Sequence, residues 1–203
     1  MDDLDANTEC RAVVLGAQGR SFCAGAQFTS GDDGEARYAM TNPGPLYVEA
    51  VRIFRNKKPI VAAIHGAAVG GGLGLALVAD FRVACAEARF VANFTKLGFH
   101  PGFGLTYTLP ALIGQSNSAL MFYTSRRVKG EDALRMGLVD KLVPQDQVRN
   151  AALSLAKEIA DSEGTKFLGL DEDQALKEIG DIGREKMVDA IRVDLAGIGV
   201  EFD

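Results

Sequence analysis

Short apolar runs alternate with helical spacing along the first two thirds of the chain. Residues 12–15 (Ala12, Val13, Val14, Leu15) form an apolar run that stops at Gly16, and residues 59–64 form a second, both predicting buried strands. Residues 81–84 and 89–91 predict two more strands. Between them, Leu46, Val48, Val51, Ile53 and Phe54 have helical spacing, and Gly70, Gly71 and Gly72 open an apolar helix through Leu73, Leu75, Ala76, Leu77 and Val78. Helical patterns then cover residues 105–113, 118–124, 131–136 and 147–159, with one further strand at 138–143. Residues 29–41 have no apolar period and are rich in Gly and Asp, which predicts a mobile loop. Residues 172–195 have helical spacing at Leu176, Ile179, Met187, Ile191 and Leu195. Strands that alternate with helices imply an α/β architecture.

Composition narrows the classes of function. The 203 residues carry a net charge of −5, which disfavours nucleic acid or an anionic membrane as a main partner. Cys10, Cys23 and Cys85 have no metal-ligand or CxxC spacing, and a sparse, odd count fits a reducing compartment. His65 and His100 are too few for a histidine-rich metal site. The start is acidic where a signal or transit peptide would be basic, so a cytoplasmic location is expected. The longest apolar stretch, 59–79, is broken by His65 and five glycines and reads poorly as a membrane span.

The turn from His65 to Gly72 lies between a strand and a helix. Adjacent glycines let the backbone approach a ligand closely and expose its amides. The turn therefore reads either as a site for developing negative charge or as a tight packing joint. A dinucleotide fingerprint fails on spacing, because Leu75 or Leu77 stands where the third glycine belongs. A Walker A loop fails because no Gly-Lys-Ser/Thr follows.

Two motifs in order make the pattern specific. Arg11 to Leu15 followed by Gly19-Arg20-Ser21-Phe22-Cys23-Ala24-Gly25-Ala26 resembles the first signature of the crotonase (enoyl-CoA hydratase/isomerase) superfamily. Pro59 to Asp80 resembles its second, and residues 90–114 and 137–140 also follow the family. The resemblance implies a crotonase-like spiral of β-β-α turns over residues 1–145 and a helical C-terminal region over 146–203. It implies a homotrimer or dimer of trimers and an acyl-CoA ligand, with coenzyme A as part of the substrate and no separate cofactor or metal. By position the amides that receive the thioester oxygen are those of Ala26 and Gly71, next to Gly70, and the Ala24 carbonyl matches the one that receives the adenine amino group. Family members carry two strands and a helix ahead of the point where this sequence starts. That front layer normally supplies basic contacts to the CoA phosphates. Residues from about 161 onward leave the family's pattern.

The departures concern the chemistry. The family's hydratases use two glutamates, and here those positions are Gly74 and Phe94. General acid–base catalysis commonly contributes about 10²–10⁴-fold, so the standard hydratase route is expected to be crippled. The segment Phe90-x-x-x-Phe94-x-Lys96-x-Gly98-x-x-Pro101 resembles ring-opening isomerases, and Gly with an aromatic at these positions resembles aryl-CoA dehalogenases. Both rely on an aspartate near the place occupied here by Gly102. Phe94 is expected to line a dry, narrow acyl pocket. His100 reads either as a substitute acid/base or as a loop histidine turned to solvent. Tyr107 reads as a substrate-orienting or a core residue, His65 as a structural hydrogen-bonding group, Asp80 as a structural turn acid and Glu35 as a solvated loop charge. Two functions remain open: an acyl-CoA enzyme that passes through a thioester enolate or oxyanion as isomerase, lyase or hydrolase, or a CoA-binding or assembly module with little chemistry.

Overall fold

A computed structural model describes residues 1–25 and 45–161. One of the chain's two compact units spans Met1–Ala160. The 29–41 loop with Glu35, and the helical pattern of 172–195, lie outside the described residues.

The chain is an α/β spiral. A short helix, α1 (Asp2–Ala6), precedes β1 (Val13–Gly16) and β2 (Ser21–Cys23), and α2 follows at Pro45–Phe54. The next turn is β3 (Ile60–Ile64), β4 (Ala67–Val69) and α3 (Gly71–Ala76). The third is β5 (Phe81–Ala84), β6 (Arg89–Val91), a 3-10 turn at Thr95–Leu97 and α4 (Leu105–Thr124). Then come β7 (Val128–Lys129), α5 (Gly130–Arg135), β8 (Lys141–Leu142), a second 3-10 turn at Gln145–Gln147 and α6 (Val148–Asp161). In the first three turns the first strand enters one sheet and the second strand another; β8 completes the first, in the order β1-β3-β5-β8, and β7 completes the second, β2-β4-β6-β7. All pairs are parallel except β6 with β7.

The local sequence explains these elements. β3 is buried at every residue, as a continuous apolar run in the middle of a parallel sheet must be. The edge strand β1 is half-buried through Val13, Val14 and Leu15. Ile64, Leu73, Val83, Phe90, Leu105, Leu109 and Leu138 fill one core, joined by Val148, Ala152 and Ala156 from α6. The helical patterns at 105–113 and 118–124 meet at Gly114, whose φ of 78° and ψ of 163° break α4 into two arms. Several expectations change. β4 sits inside what reads from sequence as a glycine-rich turn, and β7 is unannounced, because each is only two or three residues long and carries no period. The strand expected at 138–143 contracts to Lys141–Leu142, since the Leu138 and Val139 amides both donate to the Ala133 carbonyl, at 2.8 and 3.2 Å.

The corners between the sheets stack on one another. His65 Nε2 donates to the Gly19 carbonyl at 2.9 Å, and the His65 carbonyl accepts from Gln145 Nε2 at 2.8 Å and Cys85 Sγ at 3.4 Å. His65 thus joins the corner before it to the corner after it. Burial pushes the Cys85 thiol above its ordinary pKa, so it serves as a neutral donor.

Arg82 closes the other end of the first sheet. It is 4% exposed. Its guanidinium donates to the carbonyls of Ala79 (2.6 Å), Leu138 (3.0 Å) and Asp80 (3.1 Å), and pairs with the Asp140 carboxylate at 3.0 Å. Asp140 also accepts from the Arg82 amide at 2.6 Å. Asp80 accepts from the Ile60 amide at 2.8 Å, so the turn acid ties β5 to β3. Desolvation lowers the Arg82 pKa, opposed by Asp140 and Asp80. Replacing Arg82 by Met should strand three carbonyls and one carboxylate. Because Asp140 keeps part of its solvent, the loss in urea unfolding free energy should be about 2–3 kcal/mol, at or below the low end for a broken buried pair. Arg82→Lys should recover only part of it, since an ammonium cannot span the same acceptors.

Candidate functional site

The glycine turn is built where the two sheets end. Gly70 has a φ of 57° and donates its amide to the Val91 carbonyl at 2.9 Å. That left-handed backbone suits glycine alone among common residues. Gly71 then begins α3, so its amide has no intrahelical acceptor, and no hydrogen bond among the described residues takes it.

The exit of β2 is pressed against this turn. A Cβ on Gly72 would lie 2.0 Å from the Cys23 carbonyl oxygen. A Cβ on Gly25, itself at φ 81°, would lie 2.9 Å from the Val69 carbonyl oxygen. The residue before Ala26 therefore abuts the residue two before Gly71. Ala26 itself lies outside the described residues. Ala24 is exposed at the same edge.

The opposite wall is aromatic. Phe94 Cε2 and Cζ lie 3.9 Å from where a Cβ on Gly70 would stand, and Phe103 Cδ2 lies 3.9 Å from the same point on Gly71. Phe103 also fills the space beside Gly74, where a Cβ would stand only 2.6 Å from Phe103 Cβ. Phe103 has a φ of 55°, an uncommon conformation for a bulky residue, and Gly104 follows at 71°. Its ring packs on Phe54 with centroids 5.9 Å apart and planes at 49°, an ordinary aromatic pairing.

His100 is exposed between the 3-10 turn and Phe103, and is not among the nearest neighbours of Gly70, Gly71 or Gly74. Tyr107 is 80% exposed, on the side of α4 away from the buried Leu105 and Leu109. Sequence reasoning passed over Asn93, Phe103 and Phe54. The available signal was Asn93 itself, a polar residue that ends the apolar run of residues 90–92 immediately after β6. Among the described residues, no group of three or more His, Cys, Asp or Glu could hold a metal, and no helix is long and apolar enough to cross a membrane.

Residues 1–175 match the protein family described as Enoyl-CoA hydratase/isomerase. The short-chain-enoyl-CoA hydratase of Clostridium acetobutylicum is 35% identical over 163 residues, 77% of this chain and 60% of that protein. The carnitinyl-CoA dehydratase of Salmonella paratyphi A is 36% identical over 151 residues, 74% of this chain and 58% of that protein. The chain thus spans less than two thirds of the length of either relative. A solved structure of a probable enoyl-CoA hydratase/isomerase from Mycobacterium abscessus superposes with a TM-score of 0.70 at 31% identity, covering 88% of this chain and 73% of its own. The sheet order, the stacked corners and the glycine turn are thus those of a crotonase fold, and the chain belongs to the enoyl-CoA hydratase/isomerase family.

Proposed function

We propose that this chain binds an acyl-CoA thioester with its carbonyl oxygen on the Gly71 amide, joined by that of Ala26, and that it does not hydrate enoyl-CoA by the two-carboxylate route. The observation that carries this reading is Phe103, which occupies the place beside Gly74 that a catalytic side chain would need. Among the described residues, the side chains nearest a Cβ placed on Gly70 or Gly71 are Asn93, Phe94 and Phe103, and none of them transfers a proton near neutral pH. An unpaired, preorganised amide remains, and such donors commonly stabilise a developing oxyanion by about 2.7–4 kcal/mol each. Isomerisation, lysis or thioester hydrolysis through an enolate or oxyanion fits this frame. His100, exposed one short loop away from Phe94, is the acid/base in that reading. The aromatic lining equally favours a second reading, a CoA-binding or assembly module with little chemistry. A homotrimer, or a dimer of trimers, belongs to both readings, and the exposed Leu120 and Tyr123 on α4 support further burial on assembly.

Crotonyl-CoA hydration, followed by loss of the enoyl absorbance, should stay below about 1 per second, the lower end of ordinary enzyme turnover. Turnover well inside the usual range would overturn the proposal. Binding of butyryl-CoA without turnover of any acyl-CoA would leave the module reading.

The packing at Gly74 gives a second expectation. Gly74→Ala should destabilise the fold by about 1–3 kcal/mol through overpacking against Phe103. In a double-mutant cycle read by thermal or urea unfolding, Gly74→Ala should cost much less once Phe103→Ala is present. Additive effects would show that Phe103 does not occupy this space.

A further inference from the structure

A concentration of positive charge stands apart from the glycine turn, on a chain whose net charge is −5. It is built on the β6–β7 ladder. Arg89 lies directly opposite Lys129 in the antiparallel register, next to the buried pair of Phe90 and Val128. Like charges directly opposite one another weaken a sheet. Arg127, just before β7, joins them along a cleft of about 540 Å³. Glu87 and Glu131 border the same cleft, yet among the described residues neither makes an ion pair with its cations.

Arg127 also borders a second cleft, of about 530 Å³, with Arg126, Arg135, Asp132 and Asn117. Three guanidiniums meet one carboxylate there, and Asp132 is already paired with Arg135. Arg126 and Arg127 are exposed and have no acidic partner among the described residues. Their backbone is nonetheless held. Ser125 ends α4 in a left-handed conformation, the Arg126 amide donates to Thr124 Oγ1 at 3.3 Å, and Val128 is buried. Cations kept together without counter-charge create a local field that attracts an anion, whatever the sign of the whole chain.

We propose that the cleft of Arg126, Arg127 and Arg135 is a binding site for a small diphosphate anion, separate from the glycine turn. Guanidinium forks pair with phosphate and carboxylate alike. Here they come from two elements, the approach to β7 and the end of α5, so they meet a ligand from different directions. A tetrahedral phosphate offers oxygens in several directions, whereas a carboxylate offers two in one plane. A second, linked phosphate lets one ligand engage Arg127 and its neighbours together. The cleft falls within the range of about 300–1,000 Å³ usual for small-molecule sites. The net charge of −5 works against an extended nucleic acid but little against a ligand confined to the cleft. No residue of either cleft is among the nearest neighbours of Gly70, Gly71 or Gly74, so this inference stands independently of the acyl-CoA reading.

The test is isothermal titration of the full chain with sodium pyrophosphate, with ionic strength held constant by sodium chloride. Binding should saturate, and pyrophosphate should raise the midpoint of thermal unfolding. Arg126→Ala and Arg127→Ala should each weaken binding about 10-fold or more, as the loss of a charge-assisted hydrogen bond does. Both side chains are exposed, so both variants should fold, and Arg127→Gln repeats the comparison if alanine disturbs β7. Arg149→Ala, at an exposed position on α6 outside the cleft, should leave the affinity unchanged. Succinate should bind more weakly than pyrophosphate. Butyryl-pantetheine, which carries a thioester but no phosphate, should not displace it. Absence of saturable binding, affinity that survives the cleft substitutions, an equal loss in Arg149→Ala, or succinate binding as tightly as pyrophosphate would each overturn the site. Displacement by butyryl-pantetheine, or a loss of butyryl-CoA affinity in Arg127→Ala equal to that for pyrophosphate, would make the cleft part of the acyl-CoA site and overturn its separateness.

Discussion

Backbone pressed directly on backbone is the constraint from which the candidate site follows. The Cys23 carbonyl occupies the volume that any side chain at position 72 would need, so β2 and the start of α3 lie one backbone radius apart. The same device recurs at the corners: Gly66 has no room for a Cβ because of the Arg20 carbonyl, at 2.4 Å, and Gly130 has none because of the Cys85 carbonyl, at 2.0 Å. Each joint brings one turn of the spiral hard against the next. The Gly71 amide is aimed where it is because Gly70 is locked to Val91 on one side and Gly72 to Cys23 on the other. A donor fixed in this way requires no reorganisation when charge develops on a ligand oxygen, which is the physical content of preorganisation.

The aromatic wall changes what that donor experiences. Phenylalanine rings displace water and lower the local dielectric, so a hydrogen bond to a bound carbonyl gains strength while an unpaired charge becomes more costly. A carboxylate set in such surroundings would have its pKa driven up. The same surroundings suit a neutral dipole such as the Asn93 carboxamide. Phe103 holds a left-handed backbone to reach its position, a conformation that commonly costs about 1–3 kcal/mol and persists only where packing over-determines it. Contacts with Phe54 and with the face of α3 supply that packing.

The frame was legible in the sequence because its signals are local. Residues 60–64 read as a buried strand from their unbroken apolar run, and the Gly70–Gly72 triplet as a close-approach turn from composition alone. His65 was readable as a hydrogen-bonding group, though its role as the link between Gly19, Cys85 and Gln145 was not, since those partners lie 46, 20 and 80 residues away. β4 and β7 escaped because a strand of two or three residues has no period to read. Phe103 escaped for a different reason. Nothing in Pro101-Gly102-Phe103-Gly104 announces that the phenylalanine, rather than a glycine, adopts the first positive φ. Asn93 escaped because a polar residue after a strand ordinarily begins a solvated loop, and only the fold turns it toward Gly70.

The packing at position 74 bears on whether the chain has a site of its own or only an eroded one. Simple loss of a large side chain from a packed wall leaves a cavity, and the surroundings relax into it only in part. Here Phe103 enters the space beside Gly74 so closely that even a methyl group is excluded. Glycine at 74 and a left-handed phenylalanine at 103 each require the other: the first without the second leaves a void, and the second without the first is a clash. The uncommon backbone at Phe103 needs a compensating contact, and erosion supplies none. The glycine and the phenylalanines therefore form one consistent arrangement beside the Gly71 amide, and in the acyl-CoA reading proposed above the shape of that wall takes the place of paired carboxylates.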